Sequence, residues 1–265
     1  MSYEKIMDIA SRKSFFYPAA EIYPNSPAGF WDFGPLGASI RRKIIEVWRK
    51  ELVQKEEMLE IHGAQILPEK VFQGSGHLRN FNDPIVQCLK CKKFDRADQL
   101  ISEALKKHIP ESTELKKLNQ LIRENMINCN RCQGKLSEVS HFNMMVKSTI
   151  GRGELNTYLR PEACQSIFLS FARMNKTMRL KLPKGIAQVG GAFRNEISPR
   201  QSITRAIEFS QMETEVFFDP DKINEVEDWN EVKKIIDILK KHDVRFTINY
   251  FLNFIPIFGY FGCQI

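Results

Sequence analysis

The chain has 265 residues and a mass of 30.8 kDa, 43% hydrophobic and 27% charged, with a net charge of +7 and a pI near 9.0. That length suits one large domain or two modest ones, and that composition excludes a disordered or fibrous chain. The basic balance favours a polyanion or phosphate-rich small substrates as partners, although a solvated lysine-rich face gives the same sum.

From Met1 to Arg12 charged and polar residues mix without an apolar run, so no secretory signal is expected. No early segment is apolar enough to span a membrane, and a cytoplasmic location with no membrane partner is expected. Residues 15–37, FFYPAAEIYPNSPAGFWDFGPLG, are rich in proline, glycine and aromatics, which predicts packed turns and short strands. From Ala38 to Glu60, Ile40, Ile44, Ile45, Val47, Trp48, Leu52, Val53 and Met58 recur at helical spacing. One long amphipathic helix is predicted there. Ile61 to Leu67 then reads as a strand closed by Pro68.

Residues 83–138 have the look of an insertion. Lys-rich helical segments, DQLISEALKKH and ELKKLNQLIREN, lie between a CLKC and a CNRC. The four cysteines, Cys88, Cys91, Cys129 and Cys132, form two CxxC pairs with 37 residues between them. In a chain without an export signal that pattern suits two knuckles of a tetrahedral Zn²⁺ site, which would pin the insertion near an RNA. Two chance pairs of packed thiols are the bland reading. Cys164 and Cys263 have no partner at ligand spacing and read as packed thiols.

Beyond His141 the chain reads as strands and turns around one helix, Cys164 to Met174. Strand alternation puts Gln188, Gly190, Ala192, Arg194 and Glu196 on one face, and Phe209, Gln211, Glu213 and Glu215 on one face of a second strand. An aromatic plane, an amide and two acids pointing one way are poorly explained as core packing. The loop between the strands, Ile197 to Ala206, carries Arg200 and Arg205. Asp221 to Asp243 reads as a charged amphipathic helix. The last twenty residues, FTINYFLNFIPIFGYFGCQI, have no charge and seven aromatics. Their asparagines, glycines and proline argue against a membrane span, and buried strands would need a neighbouring sheet; an abnormal end is the reading preferred.

FRNE, a basic loop and EFSQMETE together resemble motif 2 of the class II aminoacyl-tRNA synthetases, in the wording of the glycine-specific members. YLRPEACQSIF resembles that family's strand-to-helix element bearing a glycine-binding carboxylate. AEIY, AGFWDFGPLG and the long helix resemble its opening segment and motif 1, the dimer interface. SGHLRNFNDP and FDRADQLI complete a match over roughly residues 10–220, in the family's order.

The resemblance implies an α+β fold: the class II synthetase antiparallel sheet, six or seven strands with flanking helices, plus a zinc-ribbon-like insertion. It divides the chain into an N-terminal segment with motif 1 (1–82), a zinc-binding insertion (83–140), a catalytic core with motif 2 (141–245) and an atypical apolar tail (246–265). The implied activity is glycine–tRNA ligation, with ATP as substrate, Mg²⁺ on its phosphates and tRNA(Gly) as acceptor. Arg194 matches the catalytic arginine that meets charge building up at phosphorus. Arg194, Asn195, Glu196, Thr204, Arg205 and Phe209 match ATP-binding positions. Arg96, Glu162, Phe209, Gln211 and Glu213 match glycine-binding positions, the acids holding the ammonium.

The chain departs from the family at Ile207, where an arginine is usual, and at Ala163, Cys164 and Ser166 beside the pocket. Motif 3 and the anticodon-binding domain have no counterpart after Arg245. The expected identity is therefore the front half of a catalytic domain, a homodimer, with a second chain as one source of the remainder. A non-catalytic fragment or paralogue that keeps zinc and tRNA binding is the alternative, and a zinc-ribbon nucleic-acid-binding protein ranks below both.

Overall fold

A computed structural model describes residues 3–24, 28–110, 112–152, 155–197, 199 and 202–219, together with the backbone of 249–250 and 258–260. The described residues fall into two compact units, each assembled from separated stretches of chain. The helix expected over 221–243 and most of the apolar end lie outside the described residues.

The first unit comprises residues 1–38, 66–161 and 192–209. It opens with helix α1, Tyr3–Arg12, and a two-stranded ribbon of β1, Phe16–Pro18, and β2, Trp31–Phe33. Strand β4, Ile66–Pro68, ends at its proline as the sequence predicts and leads into the short helices α3, Glu69–Gly74, and α4, His77–Asn80. β4 pairs with β9, Leu155–Leu159, which pairs with β8, Val146–Ile150, all antiparallel. Leu67, Phe72 and Met145 form the small core under this sheet.

Residues 82–143 of the same unit carry a further sheet and core cluster. β5, Asn82–Gln87, lies between β6, Phe94–Arg96, and β7, Ser140–Asn143. Helices α5, Ala97–Leu105, and α6, Leu115–Glu124, cover it with Leu100, Ile101 and Leu118, against Val86 and Val139. Burying side chains of this size is worth about 1.5–3 kcal/mol each, the scale of force that holds so small a layer together.

The second unit comprises residues 39–65, 162–191 and 210–265. Helix α2, Pro35–Trp48, begins on a proline, whose missing N–H costs nothing in a first turn. It runs on into a π-helical stretch, Arg49–Gln54, so the expected long helix is real but ends before Glu60. The chain reverses at Glu57, φ 47°, and enters β3, Leu59–Ile61. The single strand expected over 61–67 is thus two short strands in two different sheets, because the turn residues His62 to Gln65 intervene. Arg49 forks onto Glu60, Nε 2.9 Å and Nη2 2.6 Å away, tying the helix end to β3.

The main sheet of this unit has five described strands, in the order β12, β13, β11, β10, β3. β10 is Lys184–Phe193 and β11 is Glu208–Phe217. β10 and β3 pair in parallel at one edge, while β11–β13 and β12–β13 are antiparallel, in keeping with the mainly antiparallel sheet expected. β12, Asn249–Tyr250, and β13, Phe258–Tyr260, come from the apolar end; β13 pairs antiparallel with β11, so a sheet partner for that segment exists after all. Helix α7, Gln165–Met178, packs Ile167 against Ile186 and Phe217, and Phe171 stacks on Phe217 with ring centres 3.8 Å apart.

Candidate active-site clusters and metal centre

In the first unit the chain leaves β10 at Phe193, so Arg194 and Glu196 lie beyond the strand whose face they were expected to share. Backbone bonds on both flanks fix them instead. Phe193 N–H donates to the Arg160 carbonyl at 2.9 Å, Arg194 N–H to that of Ile207 at 2.8 Å and Asn195 N–H to that of Met144 at 2.8 Å. The Arg194 guanidinium stands over two rings, 5.4 Å from the centre of Phe81 and 5.3 Å from that of Phe209, and Nε reaches the Pro161 carbonyl at 3.3 Å. Two aromatic faces hold a cation without neutralising it, which suits a group that must meet an anion. Phe81 escapes sequence reasoning, although it sits inside the SGHLRNFNDP run.

Beside them Arg205 donates through Nε to Glu196 Oε2 at 2.7 Å and lies 3.9 Å from Asp83. Arg96 forks onto Asp98, at 2.6 and 3.1 Å, and approaches Asp83 at 3.1 Å. Two guanidinium groups thus face three carboxylates. Burial raises the Asp83 carboxyl above its ordinary value, and Glu196 and Asp98 push the same way, against the pull of Arg96 and Arg205. Arg96, expected among the glycine-binding residues, belongs to this unit and is held by aspartates. Thr204 is exposed on a 3-10 turn, Ser202–Arg205; Asn195 is exposed too, and Arg200 lies outside the described residues. Ile207, at the position of the usual arginine, is fixed through its backbone: its N–H donates to the Gly29 carbonyl at 2.9 Å while its own carbonyl takes Arg194.

In the second unit the buried face of β11 presents Gln211, Glu213, Glu215 and Phe217 in turn, as alternation predicts. Gln211 Nε2 donates to Glu213 Oε1 at 3.0 Å and its Oε1 accepts from Ala163 N–H at 3.0 Å. Glu162 stands next to Ala163, with the buried Cys164 thiol donating to its Oε2 at 3.6 Å. Glu215 is 1% exposed, and neither of its carboxyl oxygens has a hydrogen-bond partner among the described residues. Burial first, then Glu213 and Glu162, push its carboxyl up to about 9, so it carries a proton at neutral pH. Burial first, then Glu213, Glu162 and Glu215, raise the Cys164 thiol well above its ordinary value, so it stays a packed, protonated group. Glu162 and Glu213, the second of them hydrogen-bonded by Gln211, are thus the acids of this cluster that could offer charge to a cation with N–H donors. The sequence reading put Glu215 on this face but gave it no role.

The four cysteines of the insertion converge, their sulfurs all within 4.8 Å of one another, with Cys88–Cys132 at 3.5 Å and Cys91–Cys129 at 3.7 Å. Tetrahedral Zn²⁺ with bonds of about 2.3 Å needs sulfurs about 3.8 Å apart, so the set fits that ion. Each CxxC forms a knuckle: Cys91 N–H points at Cys88 Sγ and Arg131 N–H at Cys129 Sγ, both at 3.4 Å. These amides lower the Cys88 and Cys129 thiols, Cys88 to about 6 with Cys91 N–H the largest cause and Cys129 chiefly through Arg131 N–H. Gly134 is required here, because a Cβ would lie 3.0 Å from Cys88 Sγ and 2.7 Å from Lys90 Cβ.

Comparison with known proteins adds a separate line. Residues 146–249 match the family "tRNA synthetase class II core domain (G, H, P, S and T)". The chain is 48% identical over 219 residues to a protein named glycine--tRNA ligase from Thermococcus gammatolerans, covering 82% of this chain and 38% of the relative. It is 44% identical over 219 residues to that of Methanothrix thermoacetophila, covering 82% and 37%, and 41% identical over 235 residues to that of Methanococcus maripaludis, covering 88% and 40%. The chain thus spans about two fifths of the length of the curated relatives it matches. Among solved structures, the RNA binding domain of threonyl-tRNA synthetase from Cryptosporidium parvum Iowa II matches with a TM-score of 0.52 and 19% identity, covering 92% of this chain and 43% of that one. At that identity the likeness shows the fold alone.

Proposed function

We propose that this chain, a member of the class II tRNA synthetase family related to the glycine–tRNA ligases, serves to activate glycine with ATP and to pass it to tRNA(Gly). A glycine carboxylate oxygen attacks the α-phosphorus of ATP; the bond to the bridging oxygen breaks and pyrophosphate leaves. A ribose hydroxyl of the tRNA then attacks the glycyl carbonyl, and AMP leaves. The first step needs no general base, because the attacking carboxylate is already ionised.

Arg194 is assigned to the α-phosphate, where fixed positive charge is worth most as negative charge accumulates. Asn195, Glu196, Thr204, Arg205 and Phe209 are assigned to ATP, with Phe209 offering its ring to adenine. Glu162, Gln211 and Glu213 are assigned to glycine, whose ammonium needs carboxylates in a space too small for a β-carbon; Arg96 and Phe209 complete that set. Mg²⁺ brought in with ATP would supply neutralising charge at the phosphates, as triphosphate chemistry ordinarily requires. Zn²⁺ at the four cysteines is structural. The observation that carries the reading is the Arg194 guanidinium set over the rings of Phe81 and Phe209.

The α2 face bearing Ile40, Ile44 and Val47, exposed at 47, 47 and 60%, supports a homodimer through that helix. Among the described residues no helix is long and apolar enough to cross a membrane; the cytoplasm is the proposed location. Motif 3 and an anticodon-binding domain are proposed as further parts of the working enzyme, on this polypeptide or on a second one.

Glycine-dependent ATP–pyrophosphate exchange by the product of the complete reading frame tests the activity. Exchange that requires glycine and is not supported by alanine is expected. Zinc-dependent RNA binding with no exchange would overturn it in favour of the non-catalytic reading.

A further inference from the structure

We infer that Gln188, a residue with no assigned role, is a positioning residue for the ammonium-holding acids and acts on them through Ala163. The inference rests on the glycine-activating reading above. Gln188 sits on β10 and is 0% exposed, so both ends of its amide must be satisfied by protein. Its Nε2 donates to the Ala163 carbonyl at 2.7 Å, and its Oε1 accepts from Gly63 N–H at 2.9 Å. Gln211 takes Ala163 from the other side, accepting its N–H at 3.0 Å and donating to Glu213 Oε1 at 3.0 Å.

Only one orientation of each amide satisfies these contacts. Turning Gln188 over would set its NH₂ against Gly63 N–H and its oxygen against the Ala163 carbonyl. Turning Gln211 over would set its oxygen against the Glu213 carboxylate. Ala163 is thus gripped at its N–H by one strand and at its carbonyl by the neighbouring strand. Glu162 precedes it directly in the chain, and Glu213 is bonded to the amide that holds it. One fully buried residue therefore sets the place of both acids. Gly63 belongs to the same device: a Cβ there would lie 2.2 Å from Ser166 Oγ and 2.7 Å from Gln188 Oε1, so its backbone can approach the amide only as glycine.

An ammonium is bound well only if its carboxylates are held to within about 0.5 Å, and buried hydrogen bonds are the means of holding them. Removing the Gln188 amide takes a donor from the Ala163 carbonyl and an acceptor from Gly63 N–H, and lets Glu162 and Glu213 drift.

The test is steady-state exchange kinetics on the product of the complete reading frame, with folding checked by circular dichroism. Gln188→Met is expected to raise KM for glycine about tenfold and leave KM for ATP within about twofold. Combined with Glu213→Gln, its effect on KM for glycine is expected to fall well short of additive, because both act on one unit. Gln188→Glu, which keeps both hydrogen-bonding positions while protonated, is expected to regain much of the lost glycine affinity at pH 6 relative to pH 8, and it carries the test if Gln188→Met does not fold. An unchanged KM for glycine, an equal rise in both KM values, full additivity, or no pH-dependent recovery would overturn the inference while the activity reading stands. A native protein with no glycine-dependent exchange would remove the activity reading, and the inference with it.

Discussion

The guanidinium carbon of Arg194 lies 5.3 Å from the centre of the Phe209 ring, the two residues being 15 positions apart on either side of the basic loop. Phe81 closes on the same cation from the opening of the insertion, 5.4 Å away. Phe81→Ala is expected to lower kcat/KM for ATP about 3- to 30-fold, the range of a partly desolvated cation–π contact, with KM for glycine nearly unchanged. Arg194→Ala is expected to cost at least about 100-fold in kcat, since the charge itself is lost. Exchange kinetics against ATP and glycine separate the two effects; equal losses for both substrates with Phe81→Ala would refute the sandwich as a positioning device.

Glu215 makes stability depend on pH in an unusual direction. Its carboxyl is raised to about 9 in the folded chain, so folding favours the protonated form. That contribution is fully present below its ordinary value near 4.5 and is lost as pH rises towards about 9. Thermal unfolding is expected to show stability falling between pH 5 and pH 9. Glu215→Gln, with no proton to lose, is expected to flatten that slope and to stabilise the chain at pH 7 by on the order of 2 kcal/mol. Parallel pH profiles for the two proteins would show that Glu215 is not the group responsible.

The cysteine centre is expected to hold one zinc per chain, measured by elemental analysis. Cys88→Ser or Cys132→Ser is expected to lower that content and to reduce amide protection around Ile101 and Leu118, since Val86 and Ile127 of the same core lie two residues before Cys88 and Cys129. Full protection in a zinc-free variant would mean that the thiols are packing groups only.

Ile44→Glu on α2 is expected to shift the protein from dimer to monomer by sedimentation velocity, with exchange activity falling in step. An unchanged sedimentation coefficient would assign the exposed Ile40, Ile44 and Val47 face to another surface.

A good deal of this was legible in advance, for reasons that differ by element. The amphipathic period of residues 38–60 marked a helix, but the π-helical end and the reversal at Glu57 left no trace in the pattern, because they follow from how the turn meets β3. Alternation on β11 identified the face carrying Gln211, Glu213 and Glu215. The same reasoning overran on β10: Arg194 leaves the strand at Phe193 because its N–H is claimed by the Ile207 carbonyl, a bond between residues 13 apart. The CxxC pairs announced a four-sulfur centre, since ligands at i and i+3 are set locally.

By itself, then, the sequence determined what depends on near neighbours: the periods of the helices and strands, the two CxxC knuckles, and the order of motifs on which the family resemblance rests. Tertiary structure alone decided which distant groups share an environment. It put Phe81 against Arg194, bound Arg96 to Asp83 and Asp98, and clamped Ala163 between Gln188 and Gln211. It also buried Glu215 beside Glu213 and Glu162 until its proton stays on. Burial and contact are properties of segments brought together across the chain, and neither period nor spacing encodes them.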